Sequence, residues 1–287
     1  MAERWEQLTA LPGDTGELGD ELRAAVELAR AAGKLAVDIR DGGTLGVEMK
    51  PGDEPVTIAD REASELIVGG LRDRFAADRV VSEELPLSHD LAAPRVWLVD
   101  PIDGTKDFIR GSDGFSVMIG LVRDNRPVLG VVHQPTRDRT FFATPAGAFV
   151  VTGGAIAPLA VSTVTAAGDA RLVASASHRA AVIDQVKERL GIADEQNVGS
   201  VGVKLCLIAL GVRDLYINPS SKTKAWDTCA PEAILVGAGG RLTDLFGVPI
   251  DYRELAHRRG LIASNARVHD EVVGKLAPLF GHLARPA

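Results

Sequence analysis

Apolar residues recur at helical spacing between Gly19 and Arg40, at Leu22, Val26, Leu28, Ala29, Leu35, Ala36 and Ile39, and Asp20 and Glu21 stand near the start. This pattern predicts an amphipathic helix that Gly42-Gly43 terminates. Leu45 to Met49 reads as a short strand leading to Lys50 and a Pro-Gly turn. Thr57 is placed to cap a second helix in which Ile58, Ala59, Ala63, Leu66, Ile67 and Leu71 share one face. Val80-Val81-Ser82 and Val96-Trp97-Leu98-Val99 have the length and β-branched content of buried strands, the second expected to stop at Pro101 and Gly104. Alternation then predicts strands at Phe115 to Val122, Pro127 to His133 and Arg139 to Ala143, with hairpin turns at Asp124-Asn125 and Pro135-Thr136. The first half thus reads as two helices on a mostly antiparallel sheet.

Gly147, Gly153-Gly154 and Pro158 loosen the chain, which divides it into an N-terminal extension (1–18), a first half (19–154) and a second half (155–287). In the second half a strand at Leu172 to Ser175 leads to a helix from Ala180 to Leu190. A further helix opens at Gly199 to Lys204 and runs through Leu210, followed by a strand at Leu215 to Ile217. Trp226-Asp227-Thr228 start a helix, Cys229 to Gly237, that is apolar nearly all round. Gly239-Gly240 end it and form no dinucleotide fingerprint, because they follow a helix and not a strand. Strands at Arg241 to Asp244 and Leu261 to Ser264 and a helix from Val268 to Leu283 complete an alternating α/β pattern. The two halves together predict layered helices and sheets.

With 287 residues, 46% hydrophobic and 25% charged, the chain can bury a sizeable core. No apolar run approaches the roughly 20 residues of a membrane span, and residues 1–7 lack the regions of a signal peptide, so the expected location is cytoplasmic. Cys206 and Cys229 offer no disulfide framework and are expected to pack in the interior. A net charge of −7, with acids and bases interspersed, disfavours a nucleic-acid polymer or an anionic membrane as partner. The same field repels a small phosphate ester unless bound cations reverse its sign locally.

That condition gives meaning to the acids. Asp100 and Asp103 are delivered together by the end of a buried strand with no Lys or Arg between them, and Glu83-Glu84 end another strand in the same manner. Buried carboxylates are costly without a neutralising partner, and hard oxygen ligands suit Mg²⁺. Taken singly, each has an ordinary explanation. Asp-Pro and Asp-Gly are turn chemistry, Glu83-Glu84 suit a solvated turn, and Asp60 and Asp227 suit the first turn of a helix. The junctions at Ser177-His178 and at Gly199-Ser200-Val201-Gly202-Val203-Lys204 present backbone N–H groups, hydroxyls and a lysine, a nonspecific pattern that can cradle an anion. An exposed basic run follows at Lys222-Thr223-Lys224.

In order and spacing, Asp60, Glu83-Glu84, Asp100-Pro101-Ile102-Asp103-Gly104-Thr105 and Trp226-Asp227-Thr228-Cys229-Ala230 resemble the metal signature of the lithium-sensitive, Mg²⁺-dependent phosphatases, the superfamily of the inositol monophosphatases. The resemblance spans about Glu21 to the C-terminus. Ser175-Ala176-Ser177-His178, Gly199 to Lys204, Trp226 to Glu232, and Leu242-Thr243-Asp244 with Pro249-Ile250-Asp251-Tyr252 resemble in particular the CysQ-type 3′(2′),5′-bisphosphate nucleotidases. The resemblance implies an α-β-α-β-α sandwich and a phosphomonoesterase in sulfur metabolism that acts on adenosine 3′,5′-bisphosphate (PAP), as a monomer or homodimer. It implies Glu83, Asp100, the carbonyl of Ile102, Asp103 and Asp227 as ligands of two or three Mg²⁺, and Asp60 with Thr105 as the pair that activates water. Gly104, Ser177, His178, Ser200, Lys204 and Lys224 would meet the substrate, with Lys50 a further phosphate contact. Many relatives carry Arg where this chain has Ala176, so one phosphate contact is either lost or taken over by Arg179 or Lys224. A phosphatase for inositol or sugar phosphates, and a noncatalytic metal- or nucleotide-binding module, are the alternatives.

Overall fold

The computed structural model describes residues 10–52, 54–85, 91–177 and 179–283. Helix α1 (Gly19–Asp41) carries Asp20 and Glu21 in its first turn and Arg40 in its last, an order that favours the helix dipole. A short antiparallel hairpin, β1 (Glu48–Lys50) and β2 (Glu54–Val56), leads to α2 (Ile58–Arg74). Thr57 caps α2: its Oγ1 accepts from Asp60 N at 3.4 Å, and Asp60 Oδ2 accepts in return from Thr57 N at 2.8 Å. Next come β3 (Arg79–Ser82), β4 (Arg95–Asp103), the short helix α3 (Thr105–Ile109), β5 (Ser116–Arg123), β6 (Arg126–Gln134), β7 (Arg139–Thr144), β8 (Gly147–Thr152) and β9 (Ala155–Pro158). These seven strands form one sheet in chain order, β3 parallel to β4 and each later pair antiparallel.

The strand that carries Asp100 ends at Asp103, before Gly104 as expected, but passes through Pro101. Pro101 does not stop β4, because its missing N–H falls where the ladder with β5 is already interrupted, between Asp100 and Asp103. Gly153 and Gly154, both at positive φ, make the tight turn of the β8–β9 hairpin, so the first sheet continues to Pro158 and does not end near Gly154. Asp124 and Asn125 also adopt positive φ, as the expected two-residue hairpin turn requires.

The second sheet is built from β10 (Leu172–Ser175), α4 (Val182–Leu190), β11 (Glu195–Val198), α5 (Val201–Ala209), β12 (Leu215–Asn218), α6 (Ala225–Gly237), β13 (Arg241–Thr243), β14 (Leu261–Ser264) and α7 (His269–Leu276). Its order is β11-β10-β12-β14-β13, with β10 parallel to both neighbours and β14 antiparallel to both of its own. The last helix is shorter than its apolar pattern predicts, since Pro278 cannot continue it. The polar edge strand β11 shows no apolar run from which it could be foreseen.

Three cores define the layers. Leu22, Ala29, Ala63 and Ile67 of α1 and α2 pack on Trp97, Val99, Ile119 and Val131 of the first sheet. The opposite face of that sheet, through Leu98, Met118 and Val132, meets Leu205, Cys206, Cys229 and Ile234 of α5 and α6, which also cover Val173, Tyr216 and Ala263 of the second sheet. The far face of the second sheet packs Leu172, Leu215 and Ile262 against Ile183 and Val186 of α4 and Val272 of α7. The outcome is the α-β-α-β-α sandwich, with both cysteines buried in its central layer.

Helix α6 lies unusually close to the first sheet because two strand positions lack a side chain. A Cβ on Gly130 would fall 2.1 Å from the Ala230 carbonyl oxygen, and one on Gly120 would fall 2.5 Å from Cys229 Sγ. Gly130→Ala is therefore expected to destabilise the fold by about 1–3 kcal/mol or more, visible as a lower midpoint in urea or thermal unfolding.

Candidate active site

The bulged end of β4 turns its acids in different directions. Asp100 is buried and its Oδ1 accepts from Ile102 N at 3.1 Å. Asp103 Oδ2 accepts from Ser200 Oγ at 2.6 Å and from Gly202 N at 2.8 Å, at the start of α5. Gly104 then sits at φ +98, where a Cβ would lie 2.5 Å from the Gly114 carbonyl oxygen and 3.3 Å from Ser200 N. Only glycine lets the chain cross there.

One local device aims two further carboxylates. Asp60 and Asp227 each occupy the third position of a helix, and each uses Oδ2 to accept from the N-cap backbone N–H, that of Thr57 at 2.8 Å and that of Lys224 at 2.7 Å. Thr57 Oγ1 adds a second bond to the same oxygen of Asp60 at 2.5 Å. Asp60 Oδ1 is left to accept from Thr105 Oγ1 at 3.2 Å, and that hydroxyl also lies 3.1 Å from the Ile102 carbonyl oxygen.

The acids sense one another across the site. Burial, and then the charges of Glu83, Asp103, Asp227 and Asp60, push Asp100 well above the usual carboxylate range. Asp227 is raised by burial and then by Glu83 and Asp103, and Glu83 by burial and by Glu84 and Asp103 against the pull of Lys50. Asp60 is raised chiefly by burial, opposed by its bonds from Thr57. Even so, among the described residues no three His, Cys, Asp or Glu side chains are gathered as a metal-binding group. Each acid is turned to a donor of the protein: Lys50 Nζ lies 2.9 Å from Glu83 and 2.5 Å from Glu84, Ser200 and Gly202 hold Asp103, and Lys224 N holds Asp227. A cluster of buried, mutually repelling carboxylates nonetheless fits divalent cations, which are hard, oxygen-seeking and strongly charged.

This repulsion has a measurable consequence. Because the folded-state value of Asp100 is raised, its favourable contribution is full only in acid and is lost as pH rises through that value. Asp100→Asn keeps the acceptor for Ile102 N and removes the charge. Without divalent cations the variant is expected to unfold a few degrees above the parent at neutral pH, with the gap closing in acid, and saturating Mg²⁺ should reverse the order.

The expected substrate contacts divide. Ser200 and Lys204, expected at the substrate, are 4% and 2% exposed, as buried as Asp60 and Asp100 at 2% each. Ser200 caps α5 and serves Asp103, while Lys204 Nζ donates to the Val198 carbonyl at 3.3 Å and lies 5.3 Å from the Tyr216 ring centroid. Burial draws Lys204 down to about 8 against the pull of Asp103, Asp107 and Asp227. The start of α5 therefore spends its donors on a protein carboxylate. Ser177 Oγ donates to Asp107 at 2.9 Å, and Arg179 is engaged by Glu195 and Asp184 at 2.5 and 2.6 Å, which makes it a poor substitute for the arginine absent at the exposed Ala176. Lys222 is exposed and Lys224 partly so. His178 lies outside the described residues. Asp107 is the residue that pattern reasoning passed over: it receives Ser112 Oγ and Ser177 Oγ, both at 2.9 Å, and so ties α3 to the end of β10. Its place two residues after Thr105 was the available signal.

Residues 18–279 match the family model described as the inositol monophosphatase family. The 3′(2′),5′-bisphosphate nucleotidase CysQ of Salmonella typhimurium is 35% identical over 237 residues, 80% of this chain and 93% of that protein. The histidinol-phosphatase of Mycobacterium tuberculosis is 35% identical over 264 residues, 90% of this chain and 98% of that protein. Among solved structures, an IMPase of Thermotoga maritima superposes with a TM-score of 0.78 at 27% identity, covering 92% of this chain and 99% of its own. CysQ of Bacteroides thetaiotaomicron does so with 0.72 at 27% identity, covering 86% and 98%.

Proposed function

This chain belongs to the inositol monophosphatase family, and from that premise we propose that it hydrolyses the 3′-phosphate of PAP to give AMP and phosphate, with Mg²⁺ as cofactor. Glu83, Asp100, the Ile102 carbonyl, Asp103 and Asp227 would hold two or three Mg²⁺, Glu83 exchanging Lys50 for a cation. Bound Mg²⁺ supplies Lewis-acid charge at the phosphoryl oxygens and at the leaving oxygen.

The chain's own residues provide the base. Asp60 Oδ2 is committed to Thr57, so Oδ1 is the oxygen that takes a proton, and burial makes this carboxylate more basic than an exposed one. The Thr105 hydroxyl has one hydrogen. As it passes that hydrogen to Asp60 Oδ1, its oxygen accepts a proton from water. The electron pair released on the water oxygen forms the new P–O bond, the bond from phosphorus to the ribose 3′ oxygen breaks, and that oxygen is protonated from solvent.

Lys224 carries the choice of substrate. It is the partly exposed N-cap of the helix whose third residue is Asp227, and its side chain would draw the second phosphate of a bisphosphate nucleotide. A second reading has its own support, since the histidinol-phosphatase relative covers more of the chain than the nucleotidase does. Phosphate release should be measured for PAP, histidinol phosphate and inositol 1-phosphate on one preparation. We expect PAP to have the highest kcat/KM by at least about tenfold, the worth of one well-placed charge contact. Preference for either other ester would move the assignment to that substrate.

A further inference from the structure

A buried polar chain runs along the start of α6. Tyr252 is 2% exposed, and its hydroxyl donates to Glu232 Oε2 at 2.5 Å and lies 3.1 Å from Thr228 Oγ1. Thr228 Oγ1 in turn lies 2.8 Å from His257 Nε2, and the Tyr252 and His257 rings meet edge to face at 5.8 Å. The phenol has one proton, and its hydrogen bond goes to the carboxylate at the shorter distance. Thr228 Oγ1 can accept from the Nε2–H of His257 and donate to the Ala225 carbonyl at 3.3 Å, and burial, followed by Lys224, draws His257 down to about 4 and so keeps it neutral.

Tyr252 and His257 belong to the loop between β13 and β14, and this loop grips the segment in front of Asp227. His257 N donates to the Thr223 carbonyl at 2.8 Å, Ala225 N donates to the Leu255 carbonyl at 2.8 Å, and Lys224 pairs with Ala256 in an isolated bridge. Tyr252 N donates to Asn125 Oδ1 at 2.7 Å, which anchors the same loop on the β5–β6 turn of the first sheet. Lys224 N is the group that holds Asp227 Oδ2. A shift of this loop would therefore move the donor that aims Asp227.

We propose that Tyr252 and His257 are positioning residues, which fix the Lys224–Asp227 turn and thereby set the direction in which Asp227 offers its free oxygen to a divalent cation. The inference rests on Asp227 acting as a Mg²⁺ ligand. Outer partners of this type change metal affinity by about 10- to 100-fold when removed.

The test is Mg²⁺ titration of the metal-free full-length protein by calorimetry, beside turnover as a function of Mg²⁺. Tyr252→Phe keeps the ring and removes the hydroxyl. It should weaken Mg²⁺ binding by about 10- to 100-fold, with kcat largely recovered at high Mg²⁺. A purely structural role would lower the unfolding midpoint and leave the Mg²⁺ Kd unchanged, so a folded Tyr252→Phe protein with a Kd within about twofold of the parent overturns the proposal. If that variant does not fold, His257→Ala and His257→Gln decide. Alanine should weaken Mg²⁺ binding and glutamine, whose amide can donate to Thr228, should restore it; equal Kd values for both overturn the proposal. Absence of Mg²⁺ uptake by the parent protein would defeat the Mg²⁺ reading of the site itself, and this inference with it.

Discussion

Asp103→Asn is expected to lower turnover at saturating Mg²⁺ by at least about a hundredfold, because it removes one charge from a proposed metal ligand. The substitution is mild for the fold. Its amide oxygen can still accept from Ser200 Oγ and Gly202 N, the two donors that now hold Oδ2, so the crossing of β4 with the start of α5 persists. Steady-state phosphate release with Mg²⁺ varied to saturation checks it, with far-ultraviolet circular dichroism as the control for folding. Near-normal turnover would remove Asp103 from the metal set and leave the acidic cluster without its proposed chemistry.

Asp60→Asn should cost about 10²- to 10⁴-fold in kcat while leaving Mg²⁺ binding intact, the range expected for loss of a general base. The geometry explains why an isostere cannot substitute. Two donors from Thr57 require an acceptor on one side of residue 60, so asparagine must turn its oxygen there and present its NH₂ to Thr105. The threonine hydroxyl would then accept where it now donates, and the relay runs the wrong way. In the parent enzyme this carboxylate contributes to the acid limb of kcat/KM at saturating Mg²⁺. Because burial raises Asp60, its protonation should lower activity as pH drops through a value above the ordinary carboxylate range, and that contribution should be missing from the profile of the variant. A pH–rate profile of both proteins is the measurement.

Periodicity located α1, α2 and the long hairpins because each buries one continuous face, and the acids were found because each closes a strand or opens a helix. Local pattern failed where tertiary contacts decide. Nothing in the run Arg-Val-Trp-Leu-Val-Asp-Pro reveals that the ladder is already broken beside Pro101, so the passage of the strand through Pro101 was not foreseen. The run from Ser200 to Lys204 resembled an anion cradle in sequence, yet Ser200 Oγ and Gly202 N donate to Asp103, nearly a hundred residues away in the chain, and Lys204 Nζ donates to the Val198 carbonyl. Thr57 was foreseen as a cap, but not as the group that commits one oxygen of Asp60 and leaves the other for Thr105. The repeated use of a helix's third residue to aim a carboxylate, at Asp60 and at Asp227, was visible only once both N-caps were in place.

Because Gly120 and Gly130 let α6 settle onto one sheet while its other side is claimed by Leu242 and Ala263 of the next, this helix has no clearance in which to swing. A jaw-like rotation of one half against the other would have to tear the central layer. Turnover should therefore be indifferent to a crosslink between the two sheets.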